Sequence, residues 1–460
     1  MPAGSYSLQY NVDNIKVNWI YLLAACFLIR IVFPDISWYS FLAISITLHQ
    51  FLFLFNSIGK TIPIRALFGA LMCLQMLVGS TLAYNGLDQY QILERYMMQV
   101  PEEQYFSYAI PAVLSFIIAL NITNKPVGEI IERDRIEEII ENDKNLPYIL
   151  IGIGFAFSFF GSAFSSGLGF IIYLLSNLKF IGAFLLVLQK GKLKVLPLFI
   201  VYSAILISSL REAMFHDLIT WVIFLGAIFA IRLKPSAALK ITFIIIFTIV
   251  IVIIQQLKGI YRTSLRQGDE AGLKTFATAF EQGKDNSDVF LLAGLAQSNV
   301  RINQGFIITH IMKTVPAQIP FSQGEELKII LEAAFMPRIL APDKLNAGDR
   351  TIFFKYSGLE LLEGTSMGLS SLGDAYINFG VWGGCLFMFL LGSFYNLVLY
   401  GFQKFSKNYP MLILFATLVF YFPIRPDSEL QTNLGHVVKS VILIWILLQI
   451  FSKYFRIEKK

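Results

Sequence analysis

Residues 239–257 read LKITFIIIFTIVIVIIQQL, and this run of apolar side chains decides the class of the fold. An α-helix needs about 20 apolar residues to cross the roughly 30 Å of hydrocarbon in a bilayer, and this run is long enough. The whole chain has the same character: 56% of its 460 residues are hydrophobic and only 15% are charged. A soluble chain of this size could not bury so much apolar surface. The sequence therefore predicts an all-α polytopic membrane protein.

Eleven further segments have a similar composition, which predicts twelve transmembrane helices in total. The eleventh segment is the weakest of the twelve, because Pro423 ends it, and it could instead be half-buried or re-entrant. The predicted spans are roughly 17–33, 38–56, 62–84, 105–121, 147–163, 168–188, 194–210, 214–231, 239–257, 375–400, 410–424 and 434–452.

Basic residues are distributed unevenly between the alternate connections of these spans. If the N-terminus is cytoplasmic, nineteen Lys and Arg residues fall in cytoplasmic segments, whereas the short outer loops hold only Arg95, Arg211 and Arg425. Cytoplasmic loops of membrane proteins carry such an excess of positive charge. The distribution predicts that both termini are cytoplasmic, and it explains the net charge of +6 without nucleic-acid binding.

A long polar stretch, residues 258–374, separates the ninth span from the tenth. The chain is therefore predicted to have three regions. Residues 1–257 hold spans one to nine and an amphipathic cytoplasmic segment at 124–145, residues 258–374 form a large extracytoplasmic loop, and residues 375–460 hold spans ten to twelve. A membrane enzyme that acts at one face needs a place to hold a charged substrate, so we expect function in the long loop.

Motifs for metal, nucleotide or disulfide chemistry do not occur in the sequence. Cys26, Cys73 and Cys385 lie in apolar segments without the spacing of a disulfide framework or a zinc site. No P-loop, Rossmann fingerprint or HExxH motif is present. The sequence therefore predicts no cofactor and no metal.

Four ionisable residues form a first candidate group in SLREAMFHDLITW, residues 209–221. Arg211, Glu212, His216 and Asp217 lie at a predicted span end, where charges are costly unless they face water, protein or substrate. On one continuous helix Glu212 and His216 would share a face. Imidazole titrates near neutral pH, so His216 is the first candidate for a catalytic base, with Glu212 and Asp217 as further candidates. An interfacial salt-bridge cluster is the alternative.

Arginines form a second group on the predicted outer side. Arg262 and Arg266 in KGIYRTSLRQG are four residues apart, and paired guanidinium groups suit a pyrophosphate because each donates two hydrogen bonds. Arg338 lies between Pro337 and Pro342, in a segment that the prolines keep from being helical. Ordinary snorkelling at the lipid interface is the alternative for the pair on the helix.

Asp374 forms the third candidate, in SSLGDAYINFGVWGG, residues 370–384. The glycines of this segment indicate tight helix packing. A lone carboxyl group that enters a membrane span is expensive, so Asp374 is predicted to be functional, as a second candidate for the base.

Taken together, SLREAMFHDLI, YRTSLRQG, PRILAPDK and SSLGDAYINFGVWGG resemble, in content and order, the bacterial O-antigen and oligosaccharide repeat-unit polymerases of the Wzy type. The resemblance covers about residues 200–440. It implies a C-type glycosyltransferase architecture in the bacterial inner membrane, with the long loop in the periplasm. It also implies metal-independent polymerisation of polyprenyl-pyrophosphate-linked repeat units, for O-antigen, enterobacterial-common-antigen-like or exopolysaccharide synthesis. By the same resemblance, the essential outer-face arginines that bind pyrophosphate correspond to Arg211, Arg262, Arg338 and Arg425.

The partners implied are the lipid-linked glycan, membrane lipid and a chain-length regulator, with no nucleic acid. Two other functions stay open. A ligase that moves the finished glycan to a new acceptor would need the same pyrophosphate site. A flippase or exporter of lipid-linked oligosaccharide should carry charged residues deep in several spans, whereas Lys179 is the main cation in the middle of a predicted span.

Overall fold

The computed structural model describes residue 15 and residues 17–91, 93–123, 130–160, 169–285, 292–336, 341, 343–361 and 367–450. These residues form α-helices and contain no β-strand. In chain order the helices are α1 (Trp19–Val32), α2 (Trp38–Ser57), α3 (Ile64–Cys73), α4 (Gly79–Tyr84), α5 (Glu102–Leu120), α6 (Arg133–Asn142), α7 (Leu146–Phe160), α8 (Gly169–Ser176), α9 (Leu178–Leu188), α10 (Val195–Glu212), α11 (His216–Leu233), α12 (Ala237–Arg266), α13 (Leu273–Asp285), α14 (Leu292–Ile302), α15 (Gly305–Thr314), α16 (Glu325–Phe335), α17 (Arg350–Ser357), α18 (Ser370–Ser406), α19 (Leu412–Val419) and α20 (Leu430–Ile450).

Nine helical segments in the described ranges are long and apolar enough to cross a membrane, which confirms a polytopic helical membrane protein. Each coincides with one of the twelve predicted spans. They are α2, α3 continued through a π-helical turn into α4, α5, α8 with α9, α10, α11, α12, α18 and α20.

The first, fifth and eleventh predicted spans correspond to shorter helices, so the number twelve stays a prediction. α1 has 14 residues and α7 has 15. α19 has 8 residues, all of them buried, and covers only about 12 Å along its axis. It therefore lies inside the bundle, in agreement with the half-buried alternative for that segment.

The core of the bundle lies where α5 packs against α18. A Cβ atom added to Gly392 would lie 2.5 Å from the Phe116 carbonyl oxygen, so the two helix backbones approach closely. The Tyr108 hydroxyl donates to the Leu372 carbonyl oxygen at 2.6 Å. Glycines in the second half of α18 thus act in helix packing.

Basic side chains at one end of the bundle bind carbonyl oxygens at helix C-termini, where the helix dipole favours positive charge. Arg65 donates to Leu120 at 2.7 Å, Arg135 to Lys407 at 2.8 Å, and Lys240 to Ile58 at 2.6 Å. The short α6 docks on the same end through Ile136, Ile139 and Ile140. We call this end of the bundle the basic end.

Part of the polar stretch 258–374 packs among the spans. The buried face of α15 lies in the main core, and the Gln304 N–H donates to the Gln75 carbonyl oxygen at 3.0 Å, within the π-helical turn Leu74–Val78. Asn299 donates to the Gly79 carbonyl oxygen at 2.9 Å. A π-helical turn leaves carbonyl groups without their usual partners, and here backbone and side chains of the polar stretch reach those carbonyls.

The long α18 is interrupted at Gly380, where φ is 65° and ψ is −154°. Only glycine adopts this conformation readily, and the Phe321 ring lies 3.1 Å from where a Cβ atom would be. Residues 370–379 therefore form a separate, almost wholly buried helical piece that carries Asp374.

Candidate functional site

The connection between α19 and α20, residues 420–429, gathers charged groups at the end of the bundle opposite the basic end. Pro423 and Pro426 are buried and keep this connection from being a continuous helix. Two of its three charged side chains lie beside a charged group on a helix: Arg425 beside Asp217 of α11, and Glu429 beside Asp374 of α18, with which it lines one cavity. The third, Asp427, interacts electrostatically with Lys258 of α12. We call this end the site end.

His216, Asp217 and Arg425 form one group. The Asp217 carboxylate lies 2.8 Å from His216 Nε2 and 3.7 Å from Arg425 Nη1. The Arg425 guanidinium also lies over the Phe422 ring, 4.5 Å from its centre, and 5.3 Å from that of Tyr421. The His216 side chain is 42% exposed, so a substrate hydroxyl can reach an imidazole that has a carboxylate within ion-pair distance.

Glu212 and Arg211 do not join this group. α10 ends at Glu212 because Ala213 adopts a left-handed conformation with φ of 51°. Glu212 and His216 therefore lie on different helices, and the predicted shared helix face is wrong. Both Arg211 and Glu212 are exposed, and Glu212 accepts a hydrogen bond from Ser208 at 3.1 Å.

Four basic side chains converge beside this group, and we call them the cation group: Lys258, Arg262, Arg266 and Arg301. The first three follow one face of α12 at intervals of four residues, and Arg301 lies at the end of α14. Lys258 and Arg262 each interact electrostatically with Arg301. No carboxylate in the described part of the chain lies within 4.0 Å of any of the four.

Like charges held near one another repel. A bound anion would relieve that repulsion. Arg262 also donates to the Ala213 carbonyl oxygen at 3.3 Å, which fixes it near the start of α11. The sequence indicates Arg301 only as a further positive charge of the long loop, and it does not single out Lys258, although the four-residue spacing of Lys258 from Arg262 could have indicated it.

Asp374 lies in a different part of the site end. Its side chain is 8% exposed and lines a cavity of about 40 Å³ together with Glu429, Asp349 and Gln431. This volume holds about three water molecules. The charged neighbours of Asp374 are Glu429 and Glu326, and its burial makes it less accessible to a substrate than His216.

Glu429 closes this cavity. Both of its carboxylate oxygens accept the Gly348 N–H, at 3.0 and 2.9 Å. Burial raises the pKa of Glu429 above its ordinary value, and the Gly348 N–H and Thr432 hydroxyl oppose that shift. No local pattern predicts that Glu429 and Asp374 are neighbours, because they lie 55 residues apart in the chain.

Two further candidates need separate mention. Arg266, a member of the cation group, is exposed at the end of α12, and Arg338 lies outside the described residues. Within the described ranges, no group of three or more His, Cys, Asp or Glu side chains is arranged to hold a metal ion. The site end therefore holds two separate groups of the predicted residues, the His216–Asp217–Arg425 group with the adjoining cations and the Asp374 cavity.

Comparison with known proteins gives no relative from which function could be transferred. No protein-family model, no curated protein and no solved structure matches the chain. A proposal about function must therefore rest on the residues and geometry of the site end.

Proposed function

We propose that this protein is a metal-independent glycosyltransferase that polymerises polyprenyl-pyrophosphate-linked oligosaccharide repeat units at the periplasmic face of a bacterial inner membrane. The observation that carries the proposal is the cation group, which has no described carboxylate within ion-pair distance and lies where the apolar run of α12 ends. A lipid-linked pyrophosphate matches both features, since it is a multiply charged anion attached to a hydrocarbon chain.

The chemistry follows from a substrate that is already activated. The acceptor sugar hydroxyl attacks the anomeric carbon of the donor sugar, the new glycosidic bond forms, and the bond to the pyrophosphate oxygen breaks. Negative charge builds on the departing polyprenyl pyrophosphate, and the fixed cations of Arg262, Arg301 and Lys258 stabilise it. No nucleotide is consumed.

His216 is the base that fits this reaction best. It is accessible to substrate, and the Asp217 carboxylate at 2.8 Å orients its ring and stabilises the imidazolium after it takes the hydroxyl proton. Asp374 ranks second as the base, because its carboxyl group is buried and lines only a small cavity. Arg425 positions Asp217 through the contact at 3.7 Å.

The charge distribution supports the orientation. The basic end holds Arg65, Arg135, Arg232 and Lys240, and the predicted cytoplasmic segments carry nineteen Lys and Arg residues against three in the short outer loops, which is typical of the cytoplasmic side. The site end is then periplasmic, where lipid-linked glycans would be joined.

The decisive experiment uses purified protein in lipid nanodiscs, supplied with synthetic lipid-linked repeat units in excess EDTA and without nucleotide. A ladder of polymer that stays on polyprenyl pyrophosphate is expected. Arg262→Lys keeps the charge but loses the bidentate fork. We therefore expect the activation barrier to rise by about 2 kcal/mol, which lowers the rate roughly thirtyfold.

The matched control is Lys274→Ala, which removes an exposed cation on α13 and should leave the ladder unchanged. Transfer of the glycan to a new lipid acceptor would replace the proposal with a ligase. Movement of lipid-linked sugar across the bilayer without polymer would replace it with a flippase. Strict dependence on Mg²⁺ or Mn²⁺ would overturn the metal-free mechanism.

A further inference from the structure

The helix α12 is the least packed of the candidate spans. α12 has 30 residues, and from Ala237 to Gln255 none of its side chains is buried. Burial begins only at Leu257, which is 4% exposed, and at Tyr261, which is 0% exposed. The apolar part of this helix therefore stands away from the rest of the bundle.

Both ends of α12 are nevertheless fixed. At the basic end, the Lys240 ammonium donates to the Ile58 carbonyl oxygen at 2.6 Å, at the end of α2. At the site end, the Tyr261 hydroxyl donates to the Leu210 carbonyl oxygen at 2.9 Å, and Arg262 donates to that of Ala213 at 3.3 Å. A helix held at both ends and unpacked between them leaves its apolar middle open to the bilayer, and we call the space beside it the cleft.

The face of α12 that borders this cleft follows from helix geometry. Lys240 and Lys258 are 18 residues apart, which is five turns at 100° per residue, so both point in the same direction. Four apolar residues point within about 40° of that direction and form what we call the cleft face: Ile244, Phe247, Ile251 and Ile254. Three of them, Phe247, Ile251 and Ile254, are half-buried, whereas Ile249 on the opposite face is 53% exposed.

The cleft face leads directly to the cation group. Ile254 is one helical turn before Lys258, so apolar surface gives way to positive charge over about 6 Å. The hydrocarbon chain of a lipid could lie along the cleft face while its anionic headgroup remains at Lys258, Arg262 and Arg301. A free anion would use only the cations, and an uncharged lipid would use only the apolar face.

We propose that the cleft beside α12 is the lateral entrance for the polyprenyl chain of a pyrophosphate-linked substrate, whose headgroup binds the cation group. The identity of this lipid rests on the proposed function. Bulk lipid tails are as apolar as isoleucine, so the cleft does not select the lipid by hydrophobicity. Selection comes from the headgroup, and the cleft lets the chain stay in the membrane while the pyrophosphate reaches the cations.

The test places a photo-crosslinking benzophenone amino acid at Ile251, with the same substitution at Ile249 as the matched control on the opposite face. The full-length protein is held in nanodiscs of phosphatidylethanolamine and phosphatidylglycerol with labelled polyprenyl pyrophosphate that carries no sugar. We expect labelling several-fold higher at Ile251 than at Ile249. Excess unlabelled polyprenyl pyrophosphate should reduce the labelling at Ile251, whereas additional phosphatidylglycerol should leave it unchanged.

Three results would overturn the inference. Equal labelling at the two positions would mean that the cleft face holds no lipid in a fixed place. Crosslinking of phosphatidylglycerol in place of the polyprenyl lipid would mean that bulk lipid fills the cleft. Crosslinking of one copy of the protein to another would mean that a second chain covers α12.

Failure of this inference can be separated from failure of the proposed function, since crosslinking to a sugar-free lipid needs no turnover. Labelling at Ile251 without polymerase activity would support the entrance and reject the polymerase. Polymer formation with equal labelling would reject the entrance alone. In the activity assay, Ile251→Trp should slow the use of long-chain substrate more than Ile249→Trp does, and equal rates would count against the entrance.

Discussion

The contact between Arg425 and Asp217 offers the sharpest test of the site end. A double-mutant cycle with Arg425→Met and Asp217→Asn removes each charge while keeping most of the side-chain volume. At the observed separation of 3.7 Å, two unit charges attract by about 4.5 kcal/mol at an effective dielectric constant of 20. The Asp217 side chain is 37% exposed, so solvent screens much of this energy. We expect a coupling free energy of about 1 to 2 kcal/mol, between the values for exposed and buried pairs.

The assay is the unfolding free energy of the four proteins, measured by titration with SDS in mixed micelles at neutral pH. The loss in the double variant should be smaller than the sum of the two single losses by the coupling energy. The control cycle combines Arg425→Met with Glu212→Gln. Glu212 lies on α10, whereas Asp217 lies on α11, so the effects of Arg425→Met and Glu212→Gln on the unfolding free energy should be additive. A coupling at or below about 0.3 kcal/mol, the usual limit of additivity, would refute the claim that Arg425 holds Asp217.

Three other predictions concern the base, the buried carboxyl group and the orientation. His216→Ala should lower polymerisation by about 10²-fold or more while binding of polyprenyl pyrophosphate is kept, and a variant with full activity would remove His216 as the base. Burial raises the pKa of Glu429 in the folded protein. The contribution of protonated Glu429 to the free energy of unfolding is therefore complete below the pKa of the unfolded chain, and it is lost as pH rises through the pKa of the folded protein. The melting temperature of Glu429→Gln relative to wild type should therefore rise between about pH 4 and pH 8, and a constant or falling difference would contradict the burial of a proton-binding carboxyl group. In a cysteine-free background, Lys274→Cys should react with an impermeant maleimide in intact cells and Lys192→Cys only after permeabilisation, and the reverse pattern would invert the proposed orientation.

Much of the membrane architecture could be predicted from local sequence. Nine of the predicted spans coincide with helices that are long enough to cross a bilayer, because the length of an apolar run is a local property. The prediction was less accurate where the chain is apolar but short of a span, as in α19, since a buried core helix and a membrane span have the same composition.

The candidate site could be predicted only by residue type. The cost of charge at a span end identified His216 and Asp217, and the suitability of guanidinium groups for a pyrophosphate identified Arg262 and Arg425. The structure brings the first two together with Arg425. The prediction that Glu212 and His216 share a helix face was wrong because Ala213 ends the helix in a left-handed conformation. Alanine rarely adopts this conformation, so the local sequence does not predict it.

The sequence by itself thus determined that much of this protein faces lipid, that it is helical, and which kinds of charged group lie at its span ends. Hydropathy and charge are local properties, which each segment carries independently of the others. Only the tertiary structure decided which charges meet. Arg425 and Asp217 come from opposite halves of the chain, and the 420–429 connection brings one charged group to each of three helices. Packing also decided that α12 would stand away from the bundle, since an apolar helix is equally stable against lipid and against protein, and its sequence alone carries no preference between the two.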